Sequence, residues 1–156
     1  MIAKDKYKYK VSIILLNYNG VKYAPLWESI FKQTFKNFEV IFVDNGSVDD
    51  SITRFSAIAS RYPDIPIKII KLRKNVGYSR GNNIGLAFAE GEYVVLLSND
   101  IEVETTWLEE MVRFLENNPQ VAIAQSLLYS YYDRKRVDYM FNFIGVLGYN
   151  YLLVYH

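Results

Sequence analysis

YVVLLSNDIEVETTWLEEMVRFL, residues 93–115, changes character twice. Val94 to Leu97 is an apolar run of the length of a buried strand, and it stops abruptly at the polar triplet Ser98-Asn99-Asp100. Trp107, Leu108, Met111, Val112 and Leu115 then recur at helical spacing. The stretch reads as strand, polar tip, helix. Glu102 and Glu104 lie between tip and helix, where first-turn acids are favoured by the helix dipole. The alternative is that acids at such a tip hold something positive at the rim of a sheet.

The same unit recurs upstream. Val11 to Leu16 ends in NYNG at 17–20, and Tyr23 to Thr34 follows with Leu26, Trp27, Ile30 and Phe31 on one helical face and Pro25 suited to a first turn. Glu39 to Val43 stops at DNGS, residues 44–47; Ser47 and Asp50 resemble a capping box opening a helix to about Arg61. Pro63 and Pro66 break that helix, and Ile67 to Leu72 reads as a third strand. NVGYSRGNNIGLAFAEGE, residues 75–92, leads into another helix and the strand quoted above. Beyond NNP at 117–119, Val121 to Ala124 is expected to be a fifth strand. The alternation predicts a Rossmann-like α/β fold, a mostly parallel sheet flanked by helices on both faces. Gly77, Gly81 and Gly85 recur every fourth residue, so a helix stacks them on one side and something, the sheet or a flat ligand, packs close there.

Composition narrows the chemistry. The 156 residues suit one domain, and 18 basic against 17 acidic side chains give a net charge of +1, which offers nothing to a nucleic-acid partner. Cysteine is absent and His156 is the one histidine, so thiolate chemistry, histidine-based zinc and a Ser-His-Asp triad are excluded within these residues. The N-terminus has no apolar stretch ahead of its first charges, and a cytoplasmic setting is expected. The basic lead-in KDKYKYK (4–10) reads as a solvated terminus, with weak attraction to an anionic membrane surface, such as the inner face of a membrane, as the alternative. A G-x-G-x-x-G fingerprint after the first strand, a Walker loop, and the acidic pair of a receiver domain are all missing.

After Gln125 the texture becomes aromatic and aperiodic: SLLYSYYDRKRVDYMFNFIGVLGYNYLLVYH. Short, antiparallel strands are expected, with a surface for self-association, a partner chain or a membrane; Tyr139 to Tyr155 is short and interrupted for a spanning segment. The expected organisation is a lead-in (1–10), a donor-binding α/β domain (11–125), and the truncated start of an acceptor-side region (126–156).

In open α/β sheets ligands bind beyond the carboxyl ends of the strands. NYNG, DNGS and SND all fall there, and the start of the glycine-rich helix shares that face. Any one such turn is ordinary; their convergence is not. VSIILLNYNG, QTFKNFEVIFVDNGSVDDS, NVGYSRGNNIGLAFAEGEYVVLLSNDIEV and WLEEMV, in this order, resemble the inverting family-two glycosyltransferases of the GT-A fold, in their rhamnosyltransferase-like branch.

The resemblance implies transfer of a sugar from a nucleotide-diphosphate sugar to an acceptor hydroxyl, with inversion and with help from Mg²⁺ or Mn²⁺, in work such as cell-envelope polysaccharide synthesis. It implies nucleotide contacts from Asn17, Tyr18, Asn19, Asp44, Asn45, Gly77, Asn82, Ser98 and Asn99, and a metal contact from Asp100. Tyr18 would stack on the base, Asp44 and Asn45 would read its edge, and Asn99 would bond the ribose. Two departures bear on the base: Asn45 replaces a frequent Asp, and Gly81-Asn82-Asn83 replaces Ala-Arg-Asn, leaving Arg80 as the nearest cation. The family's general base comes from a later acidic motif that Asp133 and Asp138 do not match. The catalytic base is therefore unassigned, and a nucleotide-binding module without turnover is the alternative expectation. The sugar and the acceptor, whether glycan, lipid or protein, are not legible.

Overall fold

The computed structural model describes residues 7–139, 142–144 and 150–152. The chain divides into two compact units, Met1–Glu109 and Glu110–His156.

The first unit is built on four parallel strands: β1 (Tyr9–Asn17), β2 (Phe38–Asp44), β3 (Ile67–Lys71) and β4 (Gly91–Ser98), in the order β3-β2-β1-β4. β1 is the pivot of the register. Ile14 lies opposite Ile41 and Leu96, and Asn17 opposite Asp44. All the carboxyl ends therefore emerge on one rim. β2 is buried along its whole length, which explains its nearly unbroken apolar sequence: a central parallel strand has no solvent face.

Alternation along the strands separates two cores. On one side Trp27 and Phe31 of α1 (Ala24–Phe31) and Phe55 of α2 (Ser51–Ala59) close over Phe42. Phe42 and Phe55 stack at 4.0 Å, and Trp27 meets Phe42 edge-on at 5.5 Å. Such ring pairs add about 0.5–1.5 kcal/mol each beyond burial. Pro25 sits in the first turn of α1, as its fixed φ and missing N–H favour. On the other side Ile14, Ile41 and Val43 form the core beneath α3 (Tyr78–Leu86).

The glycine stack resolves in favour of the sheet. A Cβ on Gly85 would lie 2.6 Å from Ile14 Cγ2, and one on Gly81 2.6 Å from Leu16 Cδ1. Gly77 does not share this role. It precedes the helix as its N-cap with φ 87°, and nothing lies within 4 Å of its Cβ position. There the reason for glycine is the left-handed backbone.

Three local expectations change. Val121–Ala124 is not a strand, and Ile123 is 89% exposed; a strand exists only as part of a ladder, and four apolar residues say nothing of a partner. Ser47 does not cap a helix: α2 begins after Asp50, without a side-chain cap bond, and Asp49 bonds Ser51 instead. Glu102 and Glu104 precede α4 (Trp107–Asn117) rather than occupying its first turn.

In the second unit the expected short antiparallel strands are present. β5 (Leu128–Tyr129) pairs with β6 (Val137–Tyr139), and β7 (Asn142–Ile144) with β8 (Asn150–Leu152). Residues 1–6 of the basic lead-in, and 140–141, 145–149 and 153–156 of the expected aromatic contact segment, lie outside the described residues. Among the described residues, no helix is long and apolar enough to cross a membrane.

Candidate functional site

The polar strand tips meet. Asn17 ends β1 and is fully buried; its Nδ2 donates to Asp44 Oδ1 at 3.1 Å, and its Oδ1 accepts from Asn99 Nδ2 at 2.8 Å. A relay Asn99–Asn17–Asp44 thus ties β4, β1 and β2 together. The bonds at both ends fix the orientation of the Asn17 amide. Gly20 completes this corner: a Cβ there would run into Asn17 Oδ1 and Asn99 Nδ2.

Asp44 is buried, with its second oxygen accepting from Ser47 N–H at 3.1 Å. Ser47 is a junction that sequence reasoning gave a different job. Its Oγ accepts from Asn19 N–H (2.9 Å) and from Asn17 Nδ2 (3.2 Å). Asn19, at φ 48°, returns the contact by accepting Val48 N–H at 2.9 Å; asparagine tolerates this left-handed backbone better than most side chains. The turns after β1 and β2 are therefore laced to each other, and Tyr18 is carried out on this lacing, 49% exposed.

Asn45 faces the third loop. Its Nδ2 donates to Asn75 Oδ1 (3.1 Å) and Gly77 O (3.3 Å), while its Oδ1 accepts from Val76 N–H at 2.9 Å. Both ends of this amide are engaged in shaping the 75–77 turn that launches α3. An aspartate here would lose both donated bonds. Asn75, which also accepts from Gly77 N–H at 2.8 Å, was not singled out in the sequence, because its partner lies thirty residues away. Asn82, on the buried side of α3 and 4% exposed, donates to Tyr78 O at 3.1 Å. Its Oδ1 is buried without a hydrogen-bond partner among the described residues.

Ser98 and Asn99 are partly exposed and Asp100 is exposed at the end of β4. Their placement depends on α1 and the residues just after it. Trp27 Nε1 donates to Asn99 O at 2.8 Å, Ser29 Oγ accepts from Val103 N–H at 3.1 Å, and buried Gln33 both donates to Glu104 O (3.0 Å) and accepts from Leu108 N–H (2.9 Å). None of these supports could be read from a helical stripe, which registers apolar faces and not an amide beneath a loop.

Asp49 braces the same rim from the α2 side. Burial pushes its carboxyl up, but hydrogen bonds from the Ser51 hydroxyl and from the N–H groups of Val21 and Ser51 outweigh that and hold it below the ordinary aspartate value. A divalent ion would find one hard oxygen ligand in Asp100. Among the described residues no group of three or more His, Cys, Asp or Glu could hold a metal by itself. The donor set fits Mg²⁺ or Mn²⁺ only where phosphate oxygens and water complete the shell.

Three strand tips are thus joined into one polar rim beside a helix start, at the carboxyl ends of the strands where open α/β sheets bind their ligands. Residues 12–152 match the profile of glycosyl transferase family 2, and the chain belongs to that family. It is 33% identical over 119 residues to an uncharacterized glycosyltransferase of Haemophilus influenzae, covering 76% of this chain and 36% of that protein. It is 34% identical over 125 residues to the cholesterol galactosyltransferase of Borreliella burgdorferi, covering 79% and 34%. The chain thus spans about a third of the length of these curated relatives. Among solved structures, S. aureus TarS 1-349 in complex with UDP-GlcNAc superposes with a TM-score of 0.62 at 27% identity, over 76% of this chain and 38% of that one. The mannosyltransferase PcManGT of Pyrobaculum calidifontis, in complex with GDP-Man and Mn²⁺, shares the GT-A-like fold at a TM-score of 0.67 and 23% identity, over 83% and 38%.

Proposed function

We propose that residues 11–125 bind the donor of an inverting, metal-assisted glycosyltransferase, which moves a sugar from a nucleotide diphosphate to an acceptor hydroxyl. The Asn99–Asn17–Asp44 relay carries this reading, because it gathers three strand tips of polar residues where a nucleotide would span them. The UDP-sugar bound by TarS, a structure of the same fold and 27% identity, supports the same ligand class.

Within that reading Tyr18 stacks on the base, and Asn82, whose Oδ1 is buried and unpartnered among the described residues, turns that oxygen to the base edge when the nucleotide enters. Asp44 is held as an acceptor towards the same end, while Asn45 acts by shaping the 75–77 turn. Asn99, anchored through Trp27, meets the ribose hydroxyls. Asp100 would hold Mg²⁺ or Mn²⁺ together with the donor diphosphate. A bound ion of this kind offsets the charge that develops on a departing nucleoside diphosphate. No general base is assigned among these residues.

Titration calorimetry with UDP, dTDP and GDP, with and without Mn²⁺, tests the proposal. Binding by at least one nucleotide, strengthened by Mn²⁺, is expected, and Asp100→Asn should remove the strengthening while leaving the urea midpoint unchanged. No binding at millimolar nucleotide would overturn the reading. An Mn²⁺ effect that survives in Asp100→Asn would remove that residue from the site.

A further inference from the structure

We infer that the β5–β6 hairpin of the second unit is a docking tip for an anionic lipid surface. The hairpin's connection, residues 130–136, is short and internally tied. Ser130 N–H donates to Arg136 O at 2.9 Å, Arg136 N–H to Asp133 O at 2.9 Å, and Lys135 N–H to Asp133 Oδ1 at 3.1 Å. The single carboxylate of the tip therefore turns one oxygen inward, onto the turn's own backbone. Arg134, Lys135 and Arg136 are consecutive and all exposed. All three cations therefore lie within the one short connection between β5 and β6.

Beside the cations stand rings. Tyr131 is 61% exposed and Tyr132 97%, and the two meet edge to face at 5.7 Å. Tyr129, in β5, is also exposed. Exposed neighbouring tyrosines are well suited to the headgroup layer of a bilayer, where an aromatic body and a polar tip are both accommodated. Basic side chains at that depth gain from the negative potential of anionic lipids. The combination of rings with cations on one tip selects the surface. A second copy of this chain would bring like charges together. A nucleic acid asks for a broad basic face, which a chain of net charge +1 does not supply.

The inference does not depend on the nucleotide site and is tested apart from it. The full chain is sedimented with vesicles of phosphatidylcholine alone and of phosphatidylcholine mixed with phosphatidylglycerol, at low and high salt. Binding to the mixed vesicles, weak binding to the neutral ones, and release by salt are expected. Replacing Arg134, Lys135 and Arg136 together by Gln should lower partitioning by roughly fivefold per charge. Tyr131→Ser with Tyr132→Ser should lower it severalfold while the salt dependence persists. Circular dichroism identical to the parent chain shows that each variant remains folded. The inference fails if the parent chain ignores mixed vesicles, or if the Gln variant binds them as the parent does. It also fails if inorganic polyphosphate binds the parent and the tyrosine variant equally while vesicles do not, since the tip would then be a soluble-polyanion contact.

Discussion

Both ends of β2 bury a carboxylate, and the two are handled in different ways. At the amino end, Glu39 accepts from Ser12 Oγ (2.7 Å) and Glu90 N–H (2.8 Å), and Lys68 Nζ lies 2.9 Å from its other oxygen. Ser12 Oγ in turn accepts from Gly91 N–H at 2.8 Å, and Lys68 also pairs with Glu90 at 2.7 Å. This is a structural cluster: the buried carboxylate has a cation beside the oxygen that accepts no hydrogen bond among the described residues, and the backbone at the start of β4 is tied to the other. At the carboxyl end, Asp44 is held by an amide and a peptide N–H, both neutral donors. A buried charge balanced by an ammonium needs nothing more. One held by neutral donors keeps its negative potential for whatever approaches the rim.

If this contrast is right, the ends should fail differently. The largest effect is expected from Glu39→Ala, which leaves Lys68, Ser12 and the Glu90 N–H without their shared acceptor. A loss of about 2–4 kcal/mol in urea unfolding follows, with nucleotide affinity unchanged in the folded fraction. Asp44→Asn comes next and reverses the pattern: nucleotide binding weakened at least about tenfold, roughly 1.4 kcal/mol, against a stability change of about 1 kcal/mol. Equal destabilisation by the two substitutions, measured side by side, would erase the distinction between the ends.

The smallest effect concerns pH. The hydrogen bond from Lys68 holds the Glu90 carboxyl below its ordinary value, and the charges of Lys68 and Lys8 act in the same direction. A lowered folded-state value means that this stabilisation is present above the ordinary carboxylate range and is lost as pH falls through the lowered value. Glu90→Gln, which leaves the Glu90 N–H bond to Glu39 in place, should therefore flatten the acid limb of the stability profile, followed by thermal unfolding between neutral pH and about pH 3. An unchanged limb would show that the Glu90 carboxyl contributes nothing to acid sensitivity.

How much of this was legible in the sequence follows the range of the interactions. The strands could be read from their apolar runs, which in the central pair β1 and β2 follow from burial on both faces, as in Val40 to Val43. Asn17, Asp44 and Asn99 could be found because polar residues directly after such runs must lie at the rim. What those side chains bond to could not. Ser47 looks like a cap because its local spacing fits one, and only the fold brings Asn19 and Asn17 to its hydroxyl. Asn45 looks like a ligand-facing amide until the 75–77 turn is seen around it. Val121–Ala124 has strand composition, but composition does not supply a neighbour.

Trp27, Ser29 and Gln33 act at a distance from the rim. Together they fasten the stretch from Asn99 to Leu108 at four points, though none of them is among the residues read as meeting the donor. Selection on whatever the rim binds would then reach beyond the rim. Changes beneath it, in α1 and just after it, would re-aim the loop that follows β4 by fractions of an ångström, and such a scaffold offers evolution a remote adjustment screw.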